Sequence, residues 1–198
     1  MSDRRRETDR TDRSKTAIVD AARALFHERG LQGASLAAVA ARANLEKGHV
    51  SYYFPSRKSL CDAVRVDWRT RWLAKLAAWD ASAGDGRAAL GMFFDELDAQ
   101  ADSVARHGCP IGTLASDLAR SDDAERGSAA ELFEILLEWL SRNLAASGAT
   151  RDAPERAEAL LALAQGGARL AHVFRDPERM RRQVALMRRD SFGEKGLP

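Results

Sequence analysis

The chain has 198 residues, 30% of them charged, and a formal net charge of only +2, a size that allows one small unit beside a larger core. Alanine, arginine and leucine dominate and β-branched residues are few, which favours an all-α protein over a sheet. Cys61 and Cys109 lie far apart with no CxxC or His-rich spacing, and no apolar run approaches the roughly 20 residues of a membrane span, so zinc sites, disulfide frameworks and membrane proteins are excluded as expectations.

Residues 1–13 are charged and without periodicity, and read as a flexible basic arm. The arginines there are not followed by an apolar stretch, so no secretion signal is read and a cytoplasmic protein is expected. From Ser14, the residues Ile18, Ala22, Leu25 and Phe26 fall on one helical face, and Gly30 stops that helix. Ser35 can cap a short second helix that turns Leu36, Val39 and Ala40 inward. Asn44 is the best non-glycine candidate for a positive φ in the turn that follows. A third helix runs over about residues 46–53, and Pro55 ends it by disfavouring helical geometry at Phe54. Ser56 then caps a long helix that Gly84, Asp85 and Gly86 break.

The second half continues with longer helices. One covers about residues 87–106, with Leu90, Phe93, Phe94 and Leu97 as its apolar stripe. Gly108 and Cys109 precede a helix started by Pro110, and Asp122 with Glu125 forms a capping-box pattern before another. Two final helices open near Pro154 and at Asp176 and Pro177. The sum is an all-α chain of about nine helices. It divides into the arm at 1–13, a three-helix helix-turn-helix domain at 14–60, and a helical effector-binding and dimerisation domain at 61–198.

The first 60 residues carry about a dozen Lys and Arg against about seven Asp and Glu, while the rest is slightly acidic. A basic end on a near-neutral body suits contact with a polyanion. Three short helices followed by a long one suit a helix-turn-helix, whose third helix enters the major groove of DNA. In that third helix Val50, with Phe54 beyond it, is spaced to anchor the rod. Lys47, His49, Ser51 and Tyr52 are left to reach phosphates and bases. Gly48 weakens a helix, which points to close backbone approach to another surface; Tyr53 serves the small core or DNA equally well. Arg57 and Lys58 sit in the first turn of the fourth helix, where the dipole disfavours cations unless an anion visits.

Two runs carry a family resemblance: Ile18-Val-Asp-Ala-Ala-Arg-Ala-Leu-Phe, and the stretch from Ser35-Leu-Ala-Ala-Val through Asn44-Leu-Glu-Lys-Gly-His-Val-Ser-Tyr-Tyr-Phe-Pro-Ser-Arg-Lys-Ser-Leu60. Residues 14–65 thereby resemble the DNA-binding domain of the TetR (tetracycline-repressor-like) family. His49 stands where that family usually has Thr, Ser51 where it has an aromatic, and Asn44 where it has Gly. The resemblance implies a homodimeric, ligand-responsive transcriptional regulator, a repressor released from a palindromic operator, and not an enzyme. It implies DNA-contacting or backbone-positioning roles for Ser35, Lys47, Gly48, His49, Tyr52, Tyr53 and Arg57.

Beyond residue 65 the resemblance is one of helix layout. It implies an effector pocket in the body and a dimer bundle formed by the last two helices. The residues that fit the dimer face are Leu160, Leu163, Gly167, Leu170 and Phe174, with Val184 and Met187 as a companion stripe. Pocket candidates are Trp68, Trp72, Phe93, Phe94, Leu97, Cys109, Leu114, Trp139, Gln165 and Arg169, a set suited to a small apolar or aromatic effector. Cys109 before Pro110, with Arg106 and His107 close by, is also a candidate reactive thiol. The stretch from Gly108 to Leu114 is similar to one in family members that sense electrophiles or oxidants. Two rivals remain at this point: an all-α enzyme using His107 and Cys109, which lack a third orienting group, and a constitutive architectural DNA-binding protein.

Overall fold

Ile18, Ala22, Val39, Val50, Leu60 and Val64 come from four different helices and lose nearly all contact with solvent. Each such aliphatic side chain contributes about 1.5–3 kcal/mol by leaving water, and this small core organises the first part of the molecule. The computed structural model describes residues 2–31, 33–119, 123–148 and 152–192. They form ten helices among the described residues and fall into two compact units, Met1–Arg71 and Trp72–Pro198. The division falls within a long helix, beyond the boundary expected at residue 60.

In the first unit, α1 (Ser2–Arg29) starts earlier than expected. No glycine or proline interrupts residues 2–29, so the stretch read as an arm continues the helix N-terminally instead of standing apart from it. Gly30, at φ 68°, ends α1 as its sequence position suggests. Ser35 caps α2 (Leu36–Arg42), its hydroxyl accepting from the Ala38 N–H at 3.1 Å. Asn44 takes φ 54°, and the Leu45 N–H then donates to Ala40 O at 2.9 Å, closing the turn. This turn delivers α3 (Lys47–Tyr53), which stops at an extended Phe54 before Pro55. Ser56 and Ser59 cap α4 (Arg57–Ser82) reciprocally, each backbone N–H donating to the other's hydroxyl at 3.2 and 3.1 Å.

Ion pairs line the contacts between the helices of this unit. Arg42 grips Glu28 with both Nη atoms at 2.6 and 2.8 Å, joining α2 to α1. Asp20 and Arg23 of α1 meet Asp67 and Arg71 of α4 at 2.7–3.2 Å. The hydrogen bond that Arg71 donates to the Asp67 carboxylate raises the Arg71 pKa above its usual value.

The second unit contains the rest of α4 with α5 (Gly86–Ala99), α6 (Ala101–His107), α7 (Pro110–Leu118), α8 (Asp123–Ala146), α9 (Ala153–Phe174) and α10 (Glu178–Phe192). Asp85 caps α5 through Ala88 N–H at 2.7 Å. The single helix expected over 87–106 is interrupted only at Gln100, which gives ten segments where about nine were expected. The capping box expected from Asp122 and Glu125 lies outside the described residues. Arg175, in left-handed conformation at φ 53°, closes α9 and turns the chain into α10.

Candidate nucleic-acid interface

The sequence of α3 divides cleanly into an inner and an outer face. Val50 is fully buried and Phe54 nearly so, and together they fix the rod in the small core as their spacing implies. Lys47, Gly48 and His49 are exposed, and Tyr52 is 80% exposed, the largest exposure among the large hydrophobic residues described. Ser51 is half-buried at the edge. Tyr53 takes neither extreme. It stacks on His49 with ring centres 5.6 Å apart and meets Tyr52 edge-on at 5.1 Å. This aromatic row stiffens a helix of only two turns and presents the His49 ring in a defined plane.

A Cβ added at Gly48 would meet nothing within 4 Å, so no neighbouring part of the chain requires glycine there. The residue costs helix stability and returns nothing to internal packing.

The cations around α3 are arranged less uniformly than the sequence implies. Arg57 is half-buried, and its Nη2 donates to Leu31 O in the segment between α1 and α2. It therefore braces that segment besides standing in the first turn of α4. Lys58 is exposed, and it too has an intramolecular partner. Lys15 was not singled out from sequence; it is exposed on α1 with its ammonium 5.9 Å from the Tyr53 ring centre, beside the row of α3. Only tertiary packing brings it there, and no local pattern marks it.

The second unit handles its candidate residues differently. Phe93, Phe94, Leu114 and Trp139 are buried. Phe93 touches Phe94 at 5.7 Å and Trp139 at 6.1 Å, and Trp79 joins the cluster at 5.7 Å from Trp139. The Trp139 Nε1 donates to Asp80 at 2.8 Å, and Arg142 and Asn143 serve the same carboxylate at 2.6 and 3.3 Å. Trp72 and Leu97 are half-buried. Cys109 and Gln165 come together at 3.6 Å, and the Gly112 N–H also points to the Cys109 sulfur at 3.4 Å. Two candidates join neither group. Trp68 belongs to the first unit, under the Arg23 guanidinium at 5.8 Å, and Arg169 is exposed on α9. A surface depression of about 460 Å³ is lined by Asp85, Arg87, Ala88, Gly91, Arg188 and Phe192, none of them expected.

The residues chosen for the dimer face also divide. Leu160, Gly167, Val184 and Met187 are buried within this one chain, because α10 packs across α9. A Cβ on Gly167 would meet Gln183 Cγ at 2.9 Å, so the glycine serves the approach of α9 and α10. Leu163 is half-buried. Leu170 is exposed, as is Phe174 at 57%, together with Val173 at 64%, which was not singled out. Ala159, Ala162, Gly166 and these residues form one stripe along α9, and Leu186 of α10 is exposed too.

A short exposed helix with a cationic and aromatic outer face, set by a tight turn after a capped brace helix, defines a helix-turn-helix DNA-binding protein. Residues 18–64 match the family of bacterial regulatory proteins named for tetR, and residues 86–185 match the C-terminal domain of LmrA/YxaF-like transcriptional regulators. The chain belongs to the TetR family of transcriptional regulators, which sets aside the enzyme reading. It is 27% identical over 82% of its length to an HTH-type transcriptional regulator from the lacX 3′ region of Lactococcus lactis, spanning 85% of that protein. It is 36% identical to the regulator BetI of Burkholderia thailandensis over 44% of this chain and 47% of that one. The fold matches a TetR regulator from Legionella pneumophila with TM-score 0.77 at 24% identity, covering 88% of this chain and 95% of that one. It also matches one from Agrobacterium tumefaciens with TM-score 0.80 at 18% identity, covering 90% and 97%.

Proposed function

We propose that the protein is a homodimeric repressor that holds a palindromic operator through two copies of α3 and releases it when a small molecule enters the second unit. The observation that carries the DNA half is the outer face of α3. Lys47, His49 and Tyr52 stand exposed beside a glycine that internal packing does not require. Lys47 and Lys15 reach phosphates, His49 and Ser51 read base edges, and Tyr52 and Tyr53 bind phosphate or hold the row in place. Ser35 adds its hydroxyl at the start of α2, and Arg57 and Lys58 approach a phosphate near the start of α4. Such a protein works in the cytoplasm, where the chromosome is.

The exposed stripe of Leu170, Val173 and Phe174 on α9 supports the homodimer, because a second copy would cover it with the same residues. Two half-sites one DNA turn apart or more demand such a pairing. For the effector, Trp72 and Leu97 offer accessible apolar surface, and Cys109 with Gln165 offers a polar corner. Phe93, Phe94, Leu114 and Trp139 form the wall behind. The element that belongs to both units, α4, carries the response, and a coupling of about 1–3 kcal/mol lowers operator affinity about 5–150-fold.

The deciding experiment is selection of bound sequences from a random DNA pool by the purified protein. A palindromic consensus with salt-dependent affinity is expected. Absence of salt-dependent affinity for any duplex removes the DNA reading, and a non-palindromic consensus removes the symmetric dimer.

A further inference from the structure

Trp72 and Trp79 lie two turns apart on α4, their rings edge-to-face with centres 6.2 Å apart. Between them, the Lys75 ammonium is 5.5 Å from the Trp72 ring centre and 5.8 Å from that of Trp79. From α5, Glu96 Oε1 meets the same ammonium at 2.5 Å, and Gln100 donates to that carboxylate oxygen. Two indoles and a carboxylate thus surround one positive charge, all within the second unit.

Folding alone does not account for this arrangement. The Lys75 side chain is 39% exposed, and an ion pair so open to water adds little stability. A lysine needs no aromatic walls to stay charged at a surface. Indole faces, by contrast, are the preferred partners of organic ammonium ions, whose weak hydration makes them easier to desolvate than a lysine head. The Lys75 charge is also tethered by a flexible four-carbon stem, so it can swing into solvent and leave the cage open. Behind Trp79 lie the buried rings of Phe93 at 6.4 Å and Trp139 at 5.7 Å, which hold the Trp79 indole in place from the apolar core.

We propose that Trp72, Trp79 and Glu96 form a cation-recognition site that Lys75 occupies in the absence of ligand and yields to a lipophilic organic ammonium ion. The proposal names the effector class and so rests on the reading of the protein as ligand-released. Exchange of one cation for another leaves the charge at Glu96 balanced. It also breaks the Lys75–Glu96 tie between α4 and α5, giving the ligand a structural effect as well as a berth.

The test titrates the full-length protein with phenyltrimethylammonium and with its neutral counterpart tert-butylbenzene, following tryptophan fluorescence. The tethered lysine competes at an effective concentration in the millimolar range, so Lys75→Ala should bind the cation about tenfold more tightly than the wild type. Glu96→Gln, with helicity checked by circular dichroism, should bind it about tenfold more weakly. No saturation in Lys75→Ala up to about 10 mM, or equal affinity for tert-butylbenzene, overturns the site and leaves the ligand-released repressor reading intact. The same samples are then tested on the selected operator. Saturable, charge-dependent binding without DNA release upholds the cage and removes the effector reading instead.

Discussion

Tyr52 and Phe93 are both aromatic residues that the sequence marks for function, and the fold treats them in opposite ways. Tyr52 in the first unit is 80% exposed, whereas Phe93 in the second is 2% exposed and packed among other aromatic rings. The first unit fills its core mainly with aliphatic residues of α1, α2, α3 and α4, joined by Phe26 and Phe54, and leaves Lys47, His49 and Tyr52 of α3 facing outward. The second unit fills its core with the very residue types that line ligand pockets. A surface site can therefore be recognised by what packing does not need. A pocket in a helical body cannot, since wall and core are made of the same side chains.

Removing the aromatic bulk on each side breaks the comparison most directly. Phe93→Ala should lower stability by about 3–5 kcal/mol in denaturant titration, while Tyr52→Ala should stay within about 0.5 kcal/mol of the wild type and lose operator affinity. Similar stability losses in the two variants would erase the distinction. A second contrast lies between the outer side of α9 and the buried seam of α9 and α10. Val173→Asp should turn dimer into monomer in sedimentation and weaken operator binding about a hundredfold through lost bivalency, with the fold retained. Met187→Ala, on the buried side of the α9 and α10 packing, should instead destabilise each chain by about 2–5 kcal/mol. A Val173→Asp protein that stays dimeric would place the interface elsewhere.

The remaining two tests sharpen the reading of α3. Lys47→Ala should reduce the slope of log affinity against log salt by about one, the signature of one lost phosphate contact. An unchanged slope would move Lys47 off the backbone. Gly48→Ala has the smallest effect and the most telling sign. It should raise stability by about 0.5–1 kcal/mol and weaken operator binding at the same time. A variant that gains stability with undiminished affinity would show that α3 approaches DNA less closely than argued.

Much of the first unit was legible because its signals are local. The Ser35 cap, the positive φ at Asn44, the stop before Pro55 and the anchors Val50 and Phe54 each follow from a residue and its immediate neighbours. Lys15 beside Tyr53 and Arg57 on Leu31 O were not legible, since residues distant in sequence create both contacts. The early start of α1 was missed because charge without periodicity reads as an arm, although nothing between residues 2 and 29 breaks a helix. In α9, apolar and small residues occur on two faces. Periodicity finds both without saying that Leu160 and Gly167 are buried, Gly167 against α10, while Leu170 and Phe174 turn outward.

The empty space around Gly48 has a practical corollary for anyone engineering this regulator. A screen that rewards heat resistance in purified protein would enrich alanine at that position and discard the very clones worth keeping. Selection for robustness should therefore be run with target DNA present, so that fit to the double helix is scored along with endurance.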